Sequence, residues 1–146
     1  MTTPIQQSPL DQLLAWYSSL TPDSVKLAVD FYQSGARFKD PFNEVQGVEA
    51  IIKIFDHMFV TTESPRFIIH ERVMQGRQAF VTWTFEFGLK GKHYTVLGAS
   101  HLKFDAEGLV IEHRDYWDAA EELFQKLPVI GAPVRWLRRQ FEVKLS

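Results

Sequence analysis

Between Leu109 and Asp118 the chain reads Leu-Val-Ile-Glu-His-Arg-Asp-Tyr-Trp-Asp. Every second residue gives Leu109, Ile111, His113, Asp115 and Trp117. Successive strand side chains point to opposite faces, so these five share one. Three are apolar, which marks that face as the inward one. His113 and Asp115 then sit against an apolar interior, where an ionised carboxylate is costly unless paired or hydrogen-bonded. Titratable groups in such surroundings cluster at sites that move protons, so the pair points to general acid/base chemistry. Asp105-Ala106-Glu107-Gly108 is a turn that sets a register. Phe104 should face Leu109, Leu102 should face Ile111, and Ser100 should face His113. Alternation places Ser100, His113 and Asp115 on the inward surface and His101, Glu112 and Arg114 on the outer one, provided no β-bulge intervenes.

Two more polar residues have a buried signature. Phe38, Asp40 and Phe42 share parity across a short extended piece, although Pro41 distorts that alternation. Tyr17 lies on the apolar stripe of the first helix, where the ring is buried and the hydroxyl needs a partner. Each candidate also has a plainer reading. Asp115 could be a structural carboxylate bonded to His113, Asp40 a turn residue before proline, and Tyr17 ordinary core. Phe42, Phe55, Phe59, Trp83 and Trp117 read individually as core and together as pocket walls.

Other chemistries find no support. His57, His70, His93, His101 and His113 are scattered, with no metal-ligand spacing on one helix face. No cofactor loop rich in glycine and no Gly-x-Ser-x-Gly nucleophile motif appears. There is no cysteine, which removes disulfides and thiolates. The net charge of −2 and the lack of a basic block outside Arg135, Arg138 and Arg139 argue against nucleic acid. The first residues lack the pattern of a secretory signal, and no run reaches a membrane span. A cytoplasmic protein without a cofactor is the expectation.

The elements that must position these groups follow from periodicity. Ser8-Pro9 with Asp11 starts a helix carrying Leu10, Leu13, Leu14 and Tyr17 on one face. Thr21-Pro22-Asp23 starts a second, with Val25, Ala28, Val29 and Tyr32 as its stripe and Gly35 as its end. An extended piece from Arg37 to Asp40 follows. Gly47 then opens a third helix bearing Val48, Ile51, Ile52, Phe55 and Phe59. From Pro65 the period becomes two. Arg66–Met74, Gln78–Lys90 and His93–Phe104 read as hairpin-linked strands. After Asp118 a helix resumes, Pro128 and Pro133 break it, and a short Arg-rich amphipathic helix with Val134, Leu137 and Phe141 closes the chain. Helices followed by hairpin-linked strands give an α+β domain, with about four long strands in a curved antiparallel sheet.

Four segments carry a family resemblance: Phe38-Lys39-Asp40-Pro41-Phe42, Gly47-Val48-Glu49-Ala50-Ile51, Leu102 to Gly108, and His113 to Asp118. In order and spacing they resemble the NTF2-like superfamily, in particular its ketosteroid isomerase, SnoaL-type polyketide cyclase and limonene epoxide hydrolase relatives. The resemblance implies an NTF2-like cone over residues 1–146. N-terminal helices would pack on the concave face of the sheet, with residues 119–146 as a C-terminal helical extension. It further implies that Asp40 matches the isomerase general base and Tyr17 its oxyanion tyrosine. Ser100 stands where the isomerases have a protonated aspartate. Asp115 matches the acid/base aspartate of the cyclases and one aspartate of the hydrolases. His101 matches the cyclases' partner histidine by spacing.

The first functional expectation is a cofactor-free acid/base enzyme for a small apolar carbonyl or epoxide compound. Its catalytic candidates are Asp115, Asp40, Tyr17, His113 and Ser100. Its ligand contacts are Phe42, Phe55, Phe59, Trp83, Trp117 and His101. The alternatives are a non-catalytic binder of an apolar molecule and a module that dimerises through the sheet.

Overall fold

The computed structural model describes residues 7–127 and 130–141. Helix α1 spans Pro9–Ser18. Ser8 Oγ accepts the Asp11 N–H at 3.1 Å, and Pro9 fills the first turn, where its missing N–H is harmless. The buried face holds Leu10, Leu13, Leu14, Trp16 and Tyr17. Helix α2, Val48–Thr61, buries Val48, Ile51 and Phe55. Gly47 precedes it at φ 102°, a conformation that disfavours side chains, and sends the chain directly into the helix.

Six strands follow the order β2-β1-β6-β5-β4-β3 in one curved, unclosed sheet. They are β1 Tyr32–Lys39, β2 Glu44–Gln46, β3 Glu63–Gln75, β4 Gln78–Leu89, β5 Lys92–Phe104 and β6 Val110–Tyr116. All neighbours are antiparallel except β1 and β6, which are parallel. Helix α1 packs on β3, and α2 packs on β1 and β3. The core lies between these helices and the concave face. Val81, Trp83, Val96, Leu102 and Phe104 enter it from the sheet.

The second helix is shorter than its apolar stripe suggests. Val25–Asp30 forms a 3-10 segment, and Tyr32 begins strand β1 instead of ending a helix. Val25 and Ala28 are buried, whereas Val29 is half exposed. Gly35 sits inside the strand. An extended chain here pairs with β6, a tertiary gain that local periodicity does not report.

The register of the last hairpin also differs from simple alternation. Phe104 faces Val110, while Lys103 faces Glu112, so Ile111 is the extra residue of a bulge. Val110 is fully buried in place of Leu109 and Ile111. Beyond the bulge Leu102 faces His113 and Ser100 faces Asp115. Beyond the bulge the register is two residues from the expected pairing, so His113 and Asp115 still face inward.

After β6 come α3, Ala119–Glu122, a 3-10 segment at Phe124–Lys126, and α4, Gly131–Phe141. Asp118 caps α3 through the Glu121 N–H. Pro133 does not break a helix. It lies in the first turn of α4, where proline is tolerated. Pro128 lies outside the described residues. Helix α4 rests against the 3-10 segment and leaves Trp136 and Leu137 exposed.

Candidate functional site

Strand β6 delivers His113 and Asp115 to the concave side, two residues apart on one face. His113 Nε2 meets Asp115 Oδ1 at 2.7 Å, with the two side chains 3% and 8% exposed. From β1, the Tyr32 hydroxyl lies 2.7 Å from His113 Nδ1. From β5, Ser100 Oγ donates to the same Asp115 Oδ1 at 2.5 Å. From β4, Trp83 Nε1–H donates to Ser100 Oγ at 2.9 Å. Four adjacent strands thus supply one continuous polar chain through an otherwise apolar core: Tyr32, His113, Asp115, Ser100, Trp83.

This arrangement meets the requirement that buried polar groups be bonded. Among the described residues no buried side-chain nitrogen or oxygen lacks a partner. Two polar atoms beside the chain nevertheless take no hydrogen bond from it: Asp115 Oδ2 and the Tyr17 hydroxyl. Neither atom is therefore wholly sealed from solvent. Tyr17 stands next to the histidine, ring centres 6.0 Å apart, and stacks against Phe67 at 4.3 Å. Burial pushes its hydroxyl well above the ordinary tyrosine pKa, and the negative charge of Asp115, then Tyr32 and Asp40, adds to this. Burial and the charge of Asp115 act likewise on Tyr32. Both phenols stay protonated as donors.

The interior beside this chain is nearly filled. A cavity of about 10 Å³ remains between α1 and the sheet, lined among others by Leu13, Tyr17, Trp83, Ser100 and His113. That is room for one water. A groove of about 320 Å³ opens at the rim, between the ends of α1 and α2 and the start of β3. Leu20, Met58, Phe59, Pro65 and Phe67 form its apolar wall. Tyr17 borders both the groove and the cavity.

The remaining sequence candidates lie elsewhere. Asp40 closes a turn: its Oδ1 accepts the N–H of Phe42 at 2.8 Å and of Asn43 at 2.7 Å. It contributes charge near Tyr17 but joins no bond of the buried chain. Phe42 is 56% exposed and touches Trp117 and Phe124 at the start of the C-terminal segment. Phe55 is core, edge-on to Trp16, Tyr17 and Phe38. His101 is not in the cone interior. β5 alternates regularly there, so His101 points outward, stacks on Phe80 at 4.2 Å and meets Gln78. Two contributions escaped the sequence. Tyr32 was hidden by its apparent helical stripe, although Tyr32, Ala36 and Phe38 share strand parity. Trp83 read as wall, while its indole N–H is a structural donor. Among the described residues no cluster of metal-ligating side chains occurs.

A family model described as the SnoaL-like domain matches residues 13–113. The chain belongs to the SnoaL-like family. Solved structures share its fold. A putative SnoaL-like polyketide cyclase from Jannaschia superposes with a TM-score of 0.70 at 16% identity, covering 91% of this chain and 98% of that one. A hypothetical protein of ketosteroid isomerase-like fold from Catenulispora acidiphila, in complex with trimethylamine, gives 0.67 at 17% identity, covering 84% and 92%. An LEH-like epoxide hydrolase from M. tuberculosis gives 0.65 at 15% identity, covering 89% and 93%. No curated protein matches. Asp115 falls two residues beyond the matched span, so its role rests on the geometry of this chain.

Proposed function

We propose that this SnoaL-like domain is a cofactor-free acid/base enzyme for a small apolar carbonyl or epoxide compound. Asp115 is the proton-transfer group and Tyr17 the oxyanion donor. The observation that carries the reading is the pair of unbonded polar atoms, Asp115 Oδ2 and the Tyr17 hydroxyl, beside a fully bonded chain. A base and a protonated phenol acting together suit proton abstraction next to a carbonyl, or water addition to an epoxide. His113 and Ser100 hold the carboxylate, and Phe59 lines the entrance. Small ketones with exchangeable α-hydrogens, incubated in deuterated water, test this directly. NMR should show deuterium uptake above the buffer rate with the wild type and not with Asp115→Asn. Equal uptake with both proteins would remove Asp115 from the chemistry.

A second role is compatible with the first. The outer sheet face exposes Phe80, Leu97 and Tyr116. We propose that this face pairs two copies of the chain, since a patch of that kind suits an isologous interface. Light scattering should report a dimer that Phe80→Glu with Leu97→Glu converts to monomer. A wild type that stays monomeric at high concentration would end the proposal.

A further inference from the structure

The donor and acceptor roles along the buried chain follow from the chemistry of its members. Trp83 has only a donor, so the Ser100 oxygen accepts from it. Ser100 keeps its own proton to give, and Asp115 Oδ1 receives it. An ionised carboxylate only accepts, which puts the imidazole proton on His113 Nε2. Nδ1 is then the acceptor for the Tyr32 O–H. The reverse polarity, with a proton on Nδ1, would leave the Tyr32 O–H without an acceptor at a residue only 1% exposed. Two lines of hydrogen bonds thus converge on one carboxylate oxygen, one from β1 and one from β4. The other oxygen, Oδ2, receives none from the described residues.

We propose that Tyr32 and His113 are positioning residues that make Oδ2 the proton-exchanging oxygen of Asp115, with Trp83 and Ser100 gripping the carboxylate from the other side. This rests on the acid/base reading of Asp115 and deepens it. Donors on Oδ1 stabilise its negative charge and fix the plane of the carboxylate. A proton taken from a ligand carbon is then bound by Oδ2. The electron pair of the broken C–H bond moves onto the ligand carbonyl oxygen, where the Tyr17 O–H donates. The protonated acid still offers Oδ1 as an acceptor to Ser100 and His113. Neither hydrogen-bond line has to rearrange as Asp115 gains or returns the proton. Tyr32 touches no ligand in this scheme. Its hydroxyl acts through the imidazole, two hydrogen bonds behind the carboxylate.

Long-range proton–nitrogen spectra of the full chain, with nitrogen-15 histidine, test the assignment without any substrate. The wild type should show His113 as the Nε2–H form, with a low-field, slowly exchanging proton. Tyr32→Phe keeps the ring that stacks on His113 at an interplanar angle of 7° and removes only the hydroxyl. Loss of that one bond should speed exchange of the Nε2 proton about tenfold and move its signal upfield. A wild-type imidazole carrying its proton on Nδ1 overturns the proposal by itself, whatever the variant does. An unchanged Nε2 proton in folded Tyr32→Phe overturns it too. Failure of the acid/base reading shows separately, as equal deuterium uptake by wild type and Asp115→Asn.

Discussion

Gly98 lies opposite Trp83 in the β4–β5 ladder, and the indole lies across it. A Cβ at Gly98 would stand 2.4 Å from Trp83 Cη2, with Cζ2 at 2.7 Å and Cζ3 at 2.8 Å. Ordinary carbon contacts lie about 3.5–4.0 Å apart, so Gly98→Ala must push the indole by roughly 1 Å. A shift of that size breaks the Trp83–Ser100 bond, which is 2.9 Å long. Overpacking in a filled core costs about 1–3 kcal/mol. The lost hydrogen bond adds about 1 kcal/mol. The stiffer unfolded chain of alanine returns about 0.5–1 kcal/mol. The net destabilisation is then about 1–3.5 kcal/mol, or roughly 3–12 °C in Tm for a chain of this size. Urea unfolding followed by circular dichroism measures it. Trp83→Phe removes the three contacting atoms, so Gly98→Ala should cost at least about 1 kcal/mol less in that background. A cost below about 0.5 kcal/mol in the wild type, or the same cost in both backgrounds, would mean the indole is not pinned by Gly98.

Removing the centre of the polar chain should be severe. Asp115→Ala strands the His113 Nε2–H and the Ser100 O–H, for a loss of about 2–4 kcal/mol by the same denaturation assay. A loss below about 1 kcal/mol would show that water replaces the carboxylate freely. Alkaline stability should report the two buried phenols. Tyr17 and Tyr32 have pKa values raised above 10.0 by burial, so the unfolded chain releases these protons first. Their contribution is complete below pH 10 and falls above it by about 1.4 kcal/mol per pH unit for each residue. Absorbance titration should show two of the four tyrosines ionising only as the protein unfolds; smooth ionisation of all four in the folded state would contradict their burial. Ser8→Ala should cost about 1 kcal/mol through loss of the α1 cap, read from thermal melts, with no effect on the buried chain.

Much of the architecture is legible in local chemistry. The Ser8-Pro9 start of α1, the Gly47 entry to α2 and the alternation of β4 and β5 each follow from one residue type or one period. So does the inward face of Ser100, which shares the strand parity of Leu102 and Phe104. On β6, Val110 points inward before the bulge in place of Leu109 and Ile111, and the bulge at Ile111 switches the alternation so that His113 and Asp115 point inward beyond it. Tyr32 was not legible. Its burial comes from parallel pairing with a strand about 80 positions away, and nothing in its neighbourhood distinguishes that from a helical stripe. His101 shows the opposite failure, where family spacing pointed inward and plain alternation pointed out. Asp40 shows a third, since the turn that Pro41 favours turned its carboxylate onto backbone N–H groups.

Local periods set Leu10, Leu13, Leu14 and Tyr17 on one buried helix stripe and put a histidine and an aspartate two residues apart on one strand face. Those facts depend on periods of two and 3.6 residues, which are local. The partners come from the assembled sheet: Tyr32 on one side of His113, Ser100 on one oxygen of Asp115 with Trp83 behind it, and Tyr17 between a filled core and an open groove. Such contacts depend on strand order and register, which are set by packing across the whole sheet. A carboxylate with one oxygen fully engaged and the other unbonded exists only at that level.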